Sequence, residues 1–253
     1  MSRVISVLSS KGGVGKTTVV ANLASVLAKL GFRVTAIDTN LTTPHLATQL
    51  GLHLTPHSLH HVLRDQIPLQ RATYHFFGFK LVPGSLGVQD LAEVDLDKLE
   101  EIVIEASSDS DFVLLDCAPT LGREAVSSLR CSDEALLVAT PDFASVIDAF
   151  KTLQLAKLLG KKLLGVALNR VTGRNELGQE EIDSYLGESV LVRIPEDEKV
   201  RMAAAKKLPV VDCFPQAKAS LKLRELAHQL AELPYSEPKF SLVEKLIGWM
   251  RGL

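Results

Sequence analysis

The stretch SSKGGVGKTT, residues 9–18, decides the fold class of this chain. It follows a short, mostly apolar stretch and precedes a helical pattern, which is the strand–loop–helix context of a phosphate-binding loop. The plain form of that loop is glycine, four residues, glycine, lysine and Ser/Thr. It accounts for Lys16 and Thr17, but this chain has Ser10 where the first glycine would stand. Lys11 is left without a role, so the second lysine needs its own explanation.

The chemistry of the loop suits a nucleotide phosphate. Its three glycines let backbone N–H groups approach phosphate oxygens, and the start of the following helix adds partial positive charge. Lys16 is expected to reach the β- and γ-phosphates, and the Thr17 hydroxyl is expected to hold Mg²⁺. The nucleotide-binding residues predicted in this stretch are Ser10, Lys11, Gly12, Gly13, Val14, Gly15, Lys16, Thr17 and Thr18.

Short β-branched stretches alternate with helical patterns along the rest of the chain. Strands are predicted at residues 3–9, 33–38, 80–84, 111–116, 134–140, 162–169 and 189–194, and helices at 17–30, 96–106, 145–159, 178–187, 197–206 and 217–233. This rhythm predicts an α/β fold of three layers, in which helices cover both faces of a mostly parallel, doubly wound sheet. We expect one domain over residues 1–233, a linker at 234–239 and a separate amphipathic helix at 240–253.

Composition disfavours several other classes of protein. The net charge of −2 gives no overall basic footprint, so nucleic acid is not an expected partner. Cys117, Cys131 and Cys213 are isolated, which disfavours disulfides, zinc and iron–sulfur ligation. No apolar stretch approaches the length of a membrane span, and the N-terminus does not read as a signal peptide. We therefore expect a cytoplasmic protein that does not cross a membrane.

Residues 10–17 fit the pattern xKGGxGK[ST], which resembles the deviant phosphate loop of the MinD/ParA family, relatives of the nitrogenase iron protein. The resemblance implies a P-loop NTPase fold, ATP with Mg²⁺ as cofactors, and a homodimer that encloses two nucleotides. In that family the extra lysine reaches across to the partner's phosphates, and serine at the position of Ser10 is tolerated. The resemblance therefore assigns Lys16 to the phosphates of its own subunit and Lys11 to those of its neighbour, as an arginine finger would act.

Further matches follow in the family's order and cover nearly residues 2–233. IDTN, residues 37–40, ends the second strand with Asp38 at the position of the family's switch I aspartate. DFVLLDCAPTLG, residues 111–122, matches the Mg²⁺-associated Walker B strand and switch II, with Asp116 at the strand end where ligands of open α/β sheets gather. The predicted metal-binding residues are Thr17, Asp38 and Asp116.

Two later segments resemble the parts of the family that flank adenine. ALNR, residues 167–170, makes Asn169 and Arg170 candidates for base recognition. RIPED, residues 193–197, is similar to the MinD version of the second adenine-side loop and adds Pro195 and Asp197.

Asn40 departs from the family, which usually has a second carboxylate two residues after the switch I aspartate. That carboxylate is thought to act on the attacking water, whereas an amide can hydrogen-bond but cannot take a proton. One reading is a lineage variant whose amide still holds the water; the other is slow hydrolysis and a long-lived ATP state. The predicted catalytic residues are Lys11, Lys16, Asp38 and Asn40.

Five of the seven histidines fall within residues 45–61, directly after switch I. The spacing of His53, His57 and His61 could place imidazoles on one helix face for a metal. However, Pro56 interrupts such a helix, and no carboxylate or cysteine joins the set. The favoured prediction is a polar surface loop near a dimer or partner face, with no role assigned to its histidines.

The C-terminal segment FSLVEKLIGWMRGL, residues 240–253, places its apolar residues in one half of a helical wheel. Fourteen residues cannot span a bilayer, but this pattern beside basic residues suits a helix at a membrane surface. The alternative is a terminal helix docked on its own domain. The proline-flanked linker and the resemblance to the membrane-targeting helix of MinD favour peripheral attachment to the inner face of the cell membrane. The predicted membrane residues are Phe240, Val243, Leu246, Ile247, Trp249 and Met250.

The resemblance implies a Mg·ATP-dependent dimerising ATPase of the MinD type. We expect a positioning switch for cell division or a related localisation process, slow without an activating protein partner. A ParA-like ATPase that partitions DNA is one alternative, and a slowly hydrolysing or non-hydrolysing scaffold switched by ATP is another, which Asn40 keeps open. An iron–sulfur carrier of the Mrp type would need a cysteine pair that this chain lacks.

Overall fold

The computed structural model describes residues 2–9, 11–53, 55–91, 94–174 and 176–238. Ser10 lies outside the described residues, as does the predicted tail helix with its membrane candidates Phe240, Val243, Leu246, Ile247, Trp249 and Met250. The linker and the separate tail therefore stay predictions. No helix in the described part of the chain has the length and apolar character needed to cross a membrane.

A single sheet of eight strands forms the centre of the described chain. The strands are β1 Arg3–Leu8, β2 Val34–Asp38, β3 Tyr74–Phe76, β4 Phe79–Val82, β5 Phe112–Asp116, β6 Glu134–Ala139, β7 Lys162–Val171 and β8 Val190–Pro195. Their order is β3-β4-β2-β5-β1-β6-β7-β8, and every neighbouring pair is parallel except β3 and β4. Because the order runs outward from β1 in both directions, the sheet is doubly wound, and the loop after β1 lies where such sheets bind ligands.

Helices cover both faces of the sheet. They are α1 Lys16–Lys29, α2 Leu46–Gln49, α3 Leu59–Leu63, α4 Leu99–Ser107, α5 Arg123–Arg130, α6 Phe143–Leu158, α7 Gln179–Leu186, α8 Glu198–Ala205, α9 Val210–Cys213 and α10 Lys218–Leu230. Helices α1, α2 and α8–α10 contribute buried residues to one hydrophobic core, and α3–α7 contribute to the other. The predicted three-layer α/β architecture is confirmed.

The central strands are apolar on both faces because each of them serves both cores. In β1, Ile5 and Val7 pack into the core beneath α1, whereas Val4 and Leu8 pack into the opposite core. Successive side chains of a strand point to opposite faces, so a strand covered on both sides is apolar at most positions. The buried Ser6 of β1 is an exception, and its hydroxyl donates a hydrogen bond to the Ser128 carbonyl at 3.0 Å. Burial of each large aliphatic side chain stabilises the fold by about 1.5–3 kcal/mol.

The structure differs from the sequence prediction at one edge of the sheet. A single strand was predicted at residues 80–84, but an antiparallel hairpin of β3 and β4 occupies this edge. Its two-residue turn places Phe77 at φ 46° and Gly78 at φ 85°. The turn has Phe-Gly in place of the Asn-Gly or Asp-Gly that marks such hairpins in a sequence, and phenylalanine rarely adopts positive φ. The hairpin was therefore not predicted. The short helices α2, α3 and α9 were also not predicted, because four or five residues give little more than one helical turn. The eight-residue helix α5 was not predicted either.

Candidate nucleotide-binding site

The glycines of the loop between β1 and α1 have two different uses. Gly13 and Gly15 have φ of +82° and +92°, a region that glycine occupies without strain. A Cβ on Gly15 would lie 2.3 Å from Asn169 Nδ2, whereas a Cβ on Gly12 or Gly13 would meet nothing within 4 Å. Gly15 therefore permits close packing inside the protein, and Gly12 and Gly13 leave space for a ligand beside the backbone.

The N-terminus of α1 is prepared for an anion. Its N-cap is Gly15, no side chain caps the first turn, and the first turn contains no acidic residue. The unpaired amides and the positive end of the helix dipole therefore remain available to a phosphate. Loop residues from Lys11 to Thr17 border a cavity of about 380 Å³, together with Asn40 and Gln49. The hydroxyl of Thr18, another predicted binding residue, accepts a hydrogen bond from Gln49 Nε2 at 2.9 Å.

Lys16 forms a buried ion pair with Asp116. Only 6% of the Lys16 side chain and 1% of the Asp116 side chain are exposed, and the ammonium donates to Asp116 Oδ1. Burial by itself lowers the pKa of Lys16, but the attraction and hydrogen bond of Asp116 outweigh it, so the pKa is raised. Lys16 is therefore charged at neutral pH, and its ammonium group lies beside Asp116 at the carboxyl end of β5.

Asp38 lies beside Asp116, in register with it across β2 and β5. Its carboxylate is fully buried and accepts the backbone N–H groups of His45 and Leu46 at 2.9 Å and of Asn40 at 3.2 Å. Burial, and next the charge of Asp116, raise the pKa of Asp38 to about 8, although the amides favour the ionised form. A carboxyl group perturbed this strongly at strand ends is typical of a functional site.

The predicted Mg²⁺ residues fit that ion by their chemistry. Mg²⁺ prefers oxygen ligands, and proteins usually hold it through one or two carboxylates together with phosphate oxygens. Asp38 and Asp116 supply the carboxylates at neighbouring strand ends, and Thr17 supplies a hydroxyl in the first turn of α1. A bound Mg²⁺ would screen the phosphate charge next to these residues.

Lys11 occupies the outer arm of the loop, and its side chain is exposed. With Gly12, Asp142 and Arg170 it borders a second, open cavity of about 560 Å³. Burial tends to raise the pKa of Asp142, but hydrogen bonds from Thr140 and Ser145, and then the charge of Lys11, lower it overall. Lys11 therefore borders both this cavity and the phosphate cavity, and its charge is felt at Asp142.

Asn40 lines the phosphate cavity but is bonded within its own loop. Its Nδ2 donates to the Thr43 carbonyl at 2.5 Å, and its Oδ1 accepts the Thr43 hydroxyl at 3.2 Å. Each end of the amide thus has a partner within the loop. The second N–H and the second oxygen lone pair of the amide could still bond a water molecule in the cavity.

The base-side candidates surround a cavity of about 280 Å³ that opens next to Gly13 and Gly15. Asn169 Nδ2 donates to the Val14 carbonyl at 2.7 Å, and Arg170 Nη1 donates to the Gly13 carbonyl at 3.3 Å. These two residues therefore contact the phosphate loop as well as the cavity.

Pro195 and Asp197 also line this cavity. Asp197 is also the N-cap of α8, where its carboxylate accepts the amide of Lys199 at 2.9 Å and that of Ala219 at 3.3 Å. The structure brings all four predicted base-side residues together, and it gives Asp197 a structural role that the sequence did not indicate.

The prediction of a surface loop for the histidine segment is wrong for His60. This residue lies in α3 and is fully buried, while His45 and His53 are exposed. No group of three or more His, Cys, Asp or Glu side chains in the described ranges is arranged to hold a metal. Leu59 directly before His60 and Val62 two residues after it were the available sign that this turn faces the core.

Glu124 contacts switch I, and this role was not predicted from the sequence. Its carboxylate accepts the amide of Leu41 at 2.9 Å, the amide of Thr42 at 3.4 Å and the hydroxyl of Thr42 at 2.5 Å. Glu124 and Leu41 are 83 residues apart, so no local pattern could pair them.

Comparison with known proteins agrees with this geometry. Residues 5–210 match the CobQ/CobB/MinD/ParA nucleotide-binding domain. The chain belongs to this family. Membership implies ATP binding and hydrolysis, and places the two-lysine loop, Asp38 and Asp116 in a P-loop ATPase.

Three relatives cover almost the whole chain. An uncharacterised ATP-binding protein of Methanocaldococcus jannaschii is 39% identical over 246 residues, covering 96% of this chain and 93% of the relative. The structure of the septum site-determining protein MinD of Pyrococcus horikoshii, complexed with Mg-ADP, has a TM-score of 0.88 and 32% identity, covering 95% of this chain and 100% of that one. The antiactivator FleN of Pseudomonas aeruginosa is 33% identical over 268 residues, covering 97% of this chain and 93% of FleN.

Proposed function

We propose that this protein is a Mg·ATP-dependent dimerising ATPase of the MinD type, which acts as a positioning switch in cell division or a related localisation process. The observation that carries the proposal is the contrast within one loop. Lys16 is buried against Asp116, whereas Lys11 is exposed on the outer arm. An exposed lysine beside the phosphate cavity suits a charge that meets the phosphates of a second subunit.

Exposed apolar residues around the loop support a dimer. Leu86, Val88 and Leu91 follow the carboxyl end of β4, Leu121 follows that of β5, and Phe143 follows that of β6. Their exposed fractions run from 40% to 80%, which is high for large apolar side chains. The carboxyl ends of these parallel strands share the edge of the sheet that carries the loop. Burial of this edge against a second copy related by a two-fold axis would cover the apolar residues and the nucleotides together.

Membrane association is the second part of the proposal and rests on the sequence of residues 240–253. One short amphipathic helix binds lipid weakly, because ordering the helix and tethering the domain oppose the gain from apolar burial. Two helices on one dimer act together, since the second engages at high effective concentration. Membrane affinity would then follow the nucleotide state, and a protein partner would set the lifetime of that state. The protein would be cytoplasmic and peripheral on the inner face of the cell membrane.

Light scattering and liposome co-sedimentation of the full chain test both parts. With Mg·ATP we expect a dimer that sediments with anionic vesicles, and with Mg·ADP or without nucleotide a monomer that stays in the supernatant. The chain truncated after residue 238 should still dimerise but not sediment. A monomer in all three nucleotide conditions would overturn the switch, and ATP-dependent binding to duplex DNA in place of vesicles would favour the ParA-like alternative.

A slowly hydrolysing scaffold is the second candidate function. It is favoured by the amide of Asn40, which cannot act as a general base and is hydrogen-bonded to Thr43 through both Nδ2 and Oδ1. Such a protein would hold ATP long enough to maintain a dimer without turnover. Measurement of phosphate release by the ATP dimer separates this candidate from an active ATPase.

A further inference from the structure

Leu41, the residue after Asn40, is held at both of its backbone polar groups by side chains from other elements. Its N–H donates to Glu124 Oε2 at 2.9 Å, and its carbonyl oxygen lies 3.2 Å from His60 Nε2. Leu41 is 4% exposed, so water does not readily replace either bond. We call this arrangement of Glu124, Leu41 and His60 the Leu41 clamp.

Hydrogen bonding at the far side of the imidazole fixes the direction of the His60 bond. The backbone N–H of Ser85 donates to His60 Nδ1 at 3.0 Å, so Nδ1 carries a lone pair. The hydrogen of the neutral ring is then on Nε2, from which it is donated to the Leu41 carbonyl. His60 is fully buried and fixed between two backbone groups, which makes it the stationary side of the clamp.

Glu124 is the side of the clamp that directly follows switch II in the chain. It stands in the first turn of α5, directly after the segment 117–122 that follows Asp116. Besides Leu41 it accepts the Thr42 amide at 3.4 Å and the Thr42 hydroxyl at 2.5 Å. Hydrogen bonds to a charged acceptor are about twice as strong as neutral ones, so this carboxylate is a firm attachment for switch I.

We propose that Glu124 is a positioning residue that couples switch II to switch I. A shift of α5 carries the Glu124 carboxylate and the Leu41 amide with it. Because that amide belongs to the peptide bond after Asn40, the same shift moves Asn40 at the wall of the phosphate cavity. The inference rests on the proposed function for its consequence, since the catalytic position of Asn40 matters only if the protein hydrolyses ATP. The clamp itself requires no nucleotide.

Hydrogen exchange of the full-length protein without nucleotide tests the clamp directly. In Glu124→Ala the amides of Leu41 and Thr42 lose their acceptor, and we expect exchange in residues 39–46 to be at least about tenfold faster. Glu124→Gln should stay within about threefold of wild type, because its oxygen can accept from Leu41 and its NH₂ can donate to the Thr42 hydroxyl. Glu101→Ala is the matched control, an exposed glutamate in the first turn of α4. Unchanged exchange in Glu124→Ala would overturn the clamp.

Steady-state phosphate release and ADP affinity test the coupling. We expect Glu124→Ala to lower kcat by at least about tenfold while its ADP affinity stays within about threefold of wild type, with Glu124→Gln and Glu101→Ala near wild type. A kcat that is unchanged or raised in Glu124→Ala would overturn the coupling, and so would an equal loss of ADP affinity. If the wild type neither binds nor hydrolyses ATP while Glu124→Ala still accelerates exchange, the proposed function fails and the clamp stands.

Discussion

Lys11 and Lys16 stand five positions apart in one loop and have opposite environments. Lys16 is 6% exposed and paired with the buried Asp116, whereas Lys11 is exposed on the outer arm. A buried charge needs a fixed partner of opposite sign, and an exposed charge needs none. The environment therefore distinguishes the lysine that is built into the subunit from the one that we propose acts on a second subunit.

The largest expected effect is that of Lys16→Ala. It should lower the free energy of unfolding by about 3–5 kcal/mol even without nucleotide, because it leaves the Asp116 carboxylate buried and unpaired. It should also abolish nucleotide binding, since the β- and γ-phosphates lose their main partner within the subunit. Urea unfolding and titration with ADP measure the two effects.

The double variant Lys16→Ala/Asp116→Asn separates stability from binding. Replacement of the stranded carboxylate by a neutral amide should restore most of the unfolding free energy without restoring nucleotide binding. If Lys16→Ala alone is as stable as wild type, the buried pair is not a structural requirement and the contrast with Lys11 loses its basis.

Lys11→Ala should leave the fold intact and remove the dimer. Its unfolding free energy should stay within about 0.5 kcal/mol of wild type, because the side chain is exposed. ADP should still bind, while light scattering should find a monomer in Mg·ATP. Lys218→Ala, a change of another exposed lysine at the start of α10, is the control and should dimerise normally. An ATP dimer of Lys11→Ala would rule out the role across the interface.

Asn40→Asp sharpens the comparison at the wall of the phosphate cavity that Lys11 and Lys16 both border. The carboxylate supplies a proton acceptor and cannot donate to the Thr43 carbonyl, so one of the two side-chain bonds to Thr43 is lost and only the bond from the Thr43 hydroxyl can remain. We expect steady-state phosphate release to rise by at least about tenfold, or about 1.4 kcal/mol of barrier. An unchanged or lower rate would favour the lineage-variant reading, in which other groups place the water.

The smallest effect is expected from the pH dependence of His60. Burial, the largest influence, lowers the pKa of His60 below its ordinary value and Arg64 adds to this, while the Leu41 carbonyl, Asp90 and Glu124 oppose it. The unfolded chain therefore binds the proton more readily than the folded one. The contribution of neutral His60 is present above the ordinary pKa of about 6.5 and is lost as the pH falls through the lowered value.

Urea unfolding as a function of pH measures that contribution. Below pH 6.5 the free energy of unfolding should fall more steeply for wild type than for His60→Gln, by less than about 1.4 kcal/mol per pH unit. His53→Gln changes an exposed histidine and should keep the wild-type slope. Equal slopes for wild type and His60→Gln would show that His60 does not titrate on unfolding.

The features that were predicted correctly from the sequence depend on residues that lie close together in the chain. The spacing of the loop at residues 9–18, the two aspartates that end apolar strands, and the βα rhythm are local signals, and they were sufficient for the parallel sheet and the phosphate loop. The burial of His60 and its bond to Leu41 depend on how α3 packs under switch I. The bond from Glu124 joins segments that are distant in the chain. Contacts of this kind follow from tertiary packing, which periodicity and spacing do not encode.

Asn169, which is predicted to contact the base, also supports the phosphate loop, with a consequence for how nucleotide preference could change. Its amide donates to the Val14 carbonyl at 2.7 Å and stands where a Cβ at Gly15 would lie 2.3 Å away. A replacement at 169 made to suit another base also removes this support of the loop, so selectivity and turnover would change together. Residues 15 and 169 therefore constrain each other. Adaptation to a different nucleotide through residue 169 would first require another group to support the loop.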